Sequence, residues 1–215
     1  MRRLLQGIRN FQHKVFPVHQ SKFEELASGQ RPPTLLITCS DSRIVPELIT
    51  QTEPGELFVL RNAGNLVPPY DSPASGEAAT IEYAVKVLKV EDIVVCGHSH
   101  CGAITGLLRP ETLKDLPAVE QWLAYANKVR DEILEHPSVA DSDDDLLTAA
   151  IKSNVLVQLD HLRTYPDVAL AESAGELALH GCFYRFETGD ISAFDSVTGK
   201  YVCVRTNYPQ QATVA

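Results

Sequence analysis

Three short apolar runs constrain the fold of this 215-residue chain more than any other feature: Thr34–Thr38 (TLLIT), Leu57–Leu60 (LFVL) and Asp92–Cys96 (DIVVC). They show little polar alternation, the pattern of strands buried on both faces of a parallel sheet. Parallel strands need crossovers, and between the second and third runs lies SPASGEAATIEYAVKVLK. There Ser72 is expected to cap a helix, Pro73 to take its first position, and Ala78, Ile81, Val85 and Leu88 to form its apolar stripe. Two further helices are expected over PAVEQWLAYANKVRDEIL and DDDLLTAAIKSNVLVQLDHLRTYP. ELALHGCFYRFETGDISAFDSVTGKYVCV then reads as a meander, with glycine turns at Glu187–Asp190 and Val197–Lys200. The expected fold is α/β: a mainly parallel β-sheet core flanked by helices, with an N-terminal helical arm and a C-terminal β extension. Length fits a single domain over residues 1–215, of which 1–30 form the arm.

The arm is basic, with no acidic residue before Glu24, which superficially suggests a transit peptide. Leu4, Leu5, Ile8, Phe11 and Val15 nevertheless fall at helical spacing, as in a helix that packs on the core or on a partner subunit. No apolar run approaches the ~18 residues that span a bilayer, so no membrane segment is expected. A net charge of −9 disfavours electrostatic binding to nucleic acid or acidic membranes and suits a small or neutral substrate. With no export signal and five cysteines, an odd number, a reducing cytoplasm is the expected location.

In open parallel sheets ligands bind beyond the carboxyl ends of the strands. TLLIT is followed at once by CSDSR, and DIVVC by GHSHCG, so both reactive-looking clusters leave the sheet at that edge. Gly97 and Gly102 have the spacing of a phosphate loop, but Ala103 and Ile104 stand where it needs Lys and Ser/Thr. A nucleophile elbow around Ser99 fails at one position, because Cys101 replaces the second glycine; it stays as an alternative. Cys39 to Arg43 is too short a loop to wrap an anion as a thiol phosphatase does. Zinc is the further candidate: His98 and Cys101, joined by Cys39, would make a Cys2His set with an open fourth place, as in catalytic zinc sites. Asp41 could fill that place or pair with Arg43. Spacing alone leaves open the plainer reading, in which Cys39, Cys96 and Cys101 are small buried apolar residues and His98 a satisfied core histidine. His100 rivals His98, but adjacent side chains diverge in a turn, which favours His98 over a neighbour of Cys101. The acidic run Asp141–Asp145 lacks the glycine and glutamate of a calcium loop, having Leu146 and Lys152 there, and reads as a helix N-terminus.

The segments CSDSR, PGELFVLRNAGNLVPPYD, IEYAVKVLKV and IVVCGHSHCGAI together resemble a β-class carbonic anhydrase, and the likeness continues through LALHGCFYRFETGDISAFD. It is nearest the plant-like subclass, which includes bacterial enzymes linked to cyanate metabolism or carboxysomes. The resemblance implies reversible hydration of CO2 to bicarbonate and a proton by zinc-bound hydroxide, with one Zn2+ per subunit. It places the ligands on Cys39, His98 and Cys101, and an Asp/Arg dyad on Asp41 and Arg43, with Asp41 able to bind the zinc if the dyad breaks. Substrate contacts are implied at Gln30, Phe58, Ala63, Tyr83 and Gly102; Ala63 stands where many relatives have Val. It also implies a homodimer or a dimer-based tetramer or octamer, with the arm reaching over the partner and pocket residues supplied across the interface. Carboxysome association is possible by analogy, but the chain shows no long C-terminal extension in its support. Leu36 and Thr38 stand where a Trp would accompany an inhibitory bicarbonate site, so none is expected. Cys182 and Cys203 fall on what read as neighbouring strands, which makes a redox-dependent disulfide conceivable.

Overall fold

The computed structural model describes residues 1–135 and 142–207. The chain opens with α1 (Arg2–Asn10), continues through a wide helical turn at Phe11–Val15 and ends its arm with α2 (Phe16–Leu26). No residue of the arm is buried, and Leu4, Leu5, Ile8, Phe11 and Val15 are all exposed. The apolar stripe is therefore helical, as expected, and no described residue of its own chain buries it.

The strands follow as β1 (Thr34–Cys39), β2 (Leu57–Asn62), β3 (Asp92–His98), β4 (Ala178–Arg185), β5 (Asp190–Asp195) and β6 (Lys200–Cys203). They form one sheet in the order β2-β1-β3-β4-β5-β6, in which the first four strands pair in parallel and the last two join antiparallel. From β1 the chain passes through α3 (Pro46–Thr50) to β2 on one side, then through α4 (Gly76–Tyr83) to β3 on the other. That reversal makes the carboxyl ends of β1 and β3 a topological switch point, where the crossovers diverge and leave a crevice.

The meander falls where expected, its turns closed by Gly189 and Gly199 at φ +73° and +67°. Between β4 and β6 lies all of β5, with Cys182 opposite Ala193 and Cys203 opposite Ser192. Two inter-strand spacings, about 9.6 Å, exceed what a disulfide spans, so the conceivable Cys182–Cys203 bridge is excluded. The register instead places Cys182 beside Cys96 on β3, and both are free thiols.

The crossover helix α4 starts three residues later than the sequence suggests. Ser75, not Ser72, is its cap, accepting the Ala78 N–H at 3.2 Å, while the Ser72 N–H closes a turn onto Pro69.

After β3 come α5 (Gly102–Leu108), α6 (Pro117–Leu123), α7 (Asn127–Glu135), α8 (Asp143–Arg163) and α9 (Pro166–Ser173). Ser142 caps α8 by accepting the Asp145 N–H, so the acidic run is the helix start it read as; Asp141 lies outside the described residues. The long α8 lies directly on β3 and β4. A Cβ at Gly97 would stand 2.8 Å from Ile151 Cγ2, and one at Gly181 2.9 Å from Val155 Cγ1, so only glycine admits the helix so close. Apolar residues of the sheet, including Leu35, Ile37, Ile93 and Val95, pack with Ile81, Val155, Leu159 and Leu162 in one core. A second cluster gathers Leu66, Ile104, Leu107, Leu123, Ile151 and Phe183 around Cys39 and Cys101.

Candidate metal centre

Cys39 is the last residue of β1, and His98 the last of β3. Since Thr38 is level with Cys96, both residues emerge side by side at the switch point. The chain then turns through Ser99 and His100, with His100 at φ +52°, and Cys101 caps α5. This turn brings Cys101 back over the strand ends. The ligand atoms of Cys39, His98 and Cys101, all buried, lie within 4.8 Å of one another, the one such metal-capable group among the described residues. Ligand atoms about 2.0–2.3 Å from a common ion stand roughly 4 Å apart, so the trio is near the required spacing.

Two further observations fit a metal. His98 Nδ1 lies 2.9 Å from the Ser99 carbonyl, which can only accept, so Nδ1 carries the proton and Nε2 the free lone pair. That Nε2 is buried and has no hydrogen-bond partner among the described residues. The satisfied core histidine is thus ruled out, because a buried lone pair without a partner is costly unless an ion takes it. The Cys101 thiol hydrogen bond holds Cys39 well below the usual thiol range, overcoming burial with help from the Gly64 N–H, 3.4 Å from Sγ. The same contact with Cys39, reinforced by burial, raises Cys101. A thiolate and a thiol facing one free imidazole nitrogen form the donor set that Zn2+ takes after release of one proton.

Asp41, the fourth candidate ligand, is not in the cluster. Arg43 holds its carboxylate through Nε to Oδ1 at 2.9 Å, Nη2 to Oδ2 at 2.7 Å and the backbone N–H to Oδ1 at 2.9 Å. These bonds, the Arg43 side chain first, press the Asp41 carboxyl far below the ordinary range. Arg61 fixes the loop from beneath, donating to the Cys39 carbonyl at 3.0 Å and the Asp41 carbonyl at 2.8 Å. The Arg43 guanidinium lies 4.4 Å from the Phe186 ring centre and donates to the His100 carbonyl at 3.2 Å.

Ala63 and Gly102 stand at the same edge, one just past β2 and the other at the start of α5. The loop of residues 63–67 is clasped from outside by residues that sequence patterning passes over. Trp122 Nε1 donates to the Ala63 carbonyl at 2.8 Å, Asn154 Nδ2 to the Gly64 carbonyl at 3.0 Å, and Gln158 Oε1 accepts the Val67 N–H at 2.8 Å. Gln30, Phe58 and Tyr83 are not brought to the cluster by their own chain. Phe58 is level with Leu35, four residues before Cys39 and so about 13 Å from it along the sheet. Tyr83 packs on Phe58 with ring centres 6.1 Å apart, and Gln30 is exposed just before β1. All three belong to the amino edge of the sheet.

Ser99 and His100 share Glu187, which follows β4. The Ser99 hydroxyl donates to Glu187 Oε2, and His100 Nε2 lies 3.0 Å from Oε1. Burial would raise the Glu187 carboxyl, but these hydrogen bonds outweigh it and bring it down to about 2. A nucleophile elbow is excluded: Ser99 is 2% exposed, the strained turn residue is His100, and no imidazole receives the serine proton.

A doubly wound sheet with a buried Cys2His trio at its switch point defines an α/β metalloenzyme scaffold. Residues 34–191 match the family described as "Carbonic anhydrase". A carbonic anhydrase of Pseudomonas aeruginosa is 48% identical over 204 residues, covering 94% of this chain and 91% of that one. The solved structure of the β-carbonic anhydrase CcaA superposes with a TM-score of 0.91 at 45% identity, covering 94% of this chain and 98% of that chain. One of two tetrameric β-carbonic anhydrases from the filamentous ascomycete Sordaria macrospora gives a TM-score of 0.71 at 32% identity, covering 89% of this chain and 92% of that chain. The chain belongs to the β-class carbonic anhydrase family.

Proposed function

We propose that this chain, acting as a single catalytic domain over residues 1–215 in the cytoplasm, hydrates CO2 reversibly to bicarbonate and a proton at one Zn2+ held by Cys39, His98 and Cys101. The observation that carries the reading is the unpartnered, buried His98 Nε2 facing two thiols at the sheet's switch point. Zinc bound there supplies the Lewis acidity that makes water a nucleophile near neutral pH. Every other task falls to the chain. Asp41, kept ionised and aimed by Arg43, accepts a hydrogen bond from the attacking oxygen and so fixes which lone pair faces the carbon. A shift of Asp41 away from Arg43 would let its carboxylate enter the metal's fourth place and close the site. Ala63 and Gly102, small residues at the same edge, leave room for a linear substrate.

Gln30, Phe58 and Tyr83 complete the pocket from a second copy, because their own sheet holds them at the opposite edge. The bare stripe of the arm supports a homodimer, and the tetrameric Sordaria relatives support assembly of such dimers. Stopped-flow CO2 hydration with and without a chelator, alongside metal analysis, tests the whole reading. One zinc per chain is expected, with hydration abolished by chelation, by Cys39→Ser and largely by Asp41→Ala. A chain that hydrates CO2 without zinc, or that binds zinc without hydrating CO2, would overturn it.

A further inference from the structure

The turn after β4 touches both halves of the site, though nothing in the hydration chemistry calls for it. Glu187 offers two carboxylate oxygens to two donors, the Ser99 hydroxyl and His100 Nε2, with Arg185 Nη1 3.4 Å from the second oxygen. The Ser99 hydroxyl also accepts the Phe186 N–H at 3.2 Å, and the Ser99 N–H donates to the Tyr184 carbonyl at 2.9 Å. Ser99 is therefore fixed at both ends, and its carbonyl is the group that orients the ligand His98. His100 occupies a left-handed conformation that a non-glycine residue keeps only when its surroundings hold it. Its ring is held by Glu187, and its carbonyl receives Arg43. Phe186 lies under the Arg43 guanidinium.

We propose that Glu187 is a positioning residue for this site, with Phe186 beside it: through Ser99 it sets the His98 ring, and through the His100 carbonyl it sets the Arg43–Asp41 dyad. The rival account is a surface ion pair of little consequence. Against it, the Ser99 hydroxyl is buried and has Glu187 as its acceptor, so the carboxylate is part of the turn's internal bonding. Glutamine would keep the shape but present a single acceptor to two donors.

This inference rests on the zinc reading above, and the test separates the two. Zinc affinity is measured on purified wild type, Glu187→Ala and Glu187→Gln by competition with a chromophoric chelator. The kcat and KM for CO2 are measured at saturating zinc, and the visible absorption of the Co2+-substituted proteins is recorded. Removing a partner that orients a metal ligand typically costs about 10–100-fold in affinity or activity. Glu187→Ala is expected to lose that much in zinc affinity and kcat, with KM nearly unchanged and the Co2+ bands shifted. Glu187→Gln should fall between it and wild type, and gives the answer alone if the alanine variant does not fold. Zinc affinity and kcat within about twofold of wild type would refute the inference, because an orienting partner is worth more than that. So would a variant that only melts earlier while its Co2+ spectrum and zinc-saturated kcat stay intact. A wild-type chain that binds no zinc or hydrates no CO2 would instead overturn the reading beneath it.

Discussion

Replacing Gln158 with methionine keeps the reach of the side chain and deletes its amide, which tests whether α8 holds the loop beside the candidate metal centre. Gln158 is fully buried; its Oε1 accepts the Val67 N–H at 2.8 Å and its Nε2 donates to Asn154 Oδ1 at 2.9 Å. Asn154 in turn donates to the Gly64 carbonyl, and the Gly64 N–H faces Cys39 Sγ. In Gln158→Met the Val67 N–H and Asn154 Oδ1 both lose a partner inside the protein, each at a cost of roughly 1–3 kcal/mol. The thioether avoids desolvating an amide and recovers part of this, leaving a net loss of about 2–4 kcal/mol. Urea unfolding of zinc-loaded protein, at one chain concentration because metal and association both add stability, is the assay. Trp122, the single tryptophan, bonds to Ala63 and so reports on this loop by its fluorescence. With a slope of about 2–3 kcal/mol per molar, the midpoint should fall by roughly 0.7–2 M. A midpoint within about 0.2 M of wild type at unchanged slope would refute the reasoning, since it would mean that both groups find other partners at no cost.

Burial holds the His161 imidazole below its ordinary 6.5, so the unfolded chain takes up this proton first as pH falls. Its stabilisation is complete above about pH 6.5 and is lost as the pH drops through the lowered folded value, so His161→Gln should lie nearer to wild type at about pH 5 than at pH 7.5. A constant gap across that range, measured by urea unfolding, would contradict this. Mild oxidation should leave Cys182 and Cys203 unlinked because β5 separates them, and a peptide joining the two in a non-reducing digest would overturn the strand order. Gly97→Ala drives a methyl group against Ile151 and Val155 on α8, at a cost of about 1–3 kcal/mol in stability. Because it also pushes α8 off the strand that carries His98, zinc affinity should fall with it; unchanged affinity by chelator competition would show that the helix yields freely.

What could be read from the residues and what could not divide along a physical line. Runs such as TLLIT and DIVVC announce buried parallel strands by their periodicity, and the residues just beyond them inherit the sheet's carboxyl edge. Cys39, His98 and Cys101 could be placed at that edge for that reason, while their reading as ligands rather than core came from the family resemblance. Contacts between side chains far apart in sequence leave no local trace. Asn154 and Gln158 look like the polar face of an amphipathic helix, yet both are fully buried against the loop at Gly64–Val67. Glu187 looks like part of a glycine turn until β4 brings it to Ser99 and His100. The misplaced cap at Ser72 and the supposed Cys182–Cys203 neighbours are local misreadings: two serines compete near one proline, and a meander hides the strand in between.

The separation between the sheet's two edges leads to one more test, of how the pocket is assembled. The candidate metal ligands and the Asp41–Arg43 pair come from the carboxyl edge, while Phe58, about 13 Å away by strand register, and Tyr83, packed on it, belong to the amino edge. A one-residue slip of register would turn the buried faces outward, so sliding of the strands does not bring Phe58 to the cluster. A Cys39→Ser chain lacks a ligand but carries an intact Tyr83, and a Tyr83→Ala chain carries the reverse. If Tyr83 acts across the interface, a dimer of the two has one site with every native residue. If it acts within its own chain, the mixed dimer has none. Random mixing of dissociated subunits makes half of the dimers mixed, so about a quarter of all sites should regain wild-type turnover above the parents' baseline. Stopped-flow hydration before and after co-refolding measures this, and mixed samples no more active than the average of the parents would place Tyr83 outside the partner's pocket.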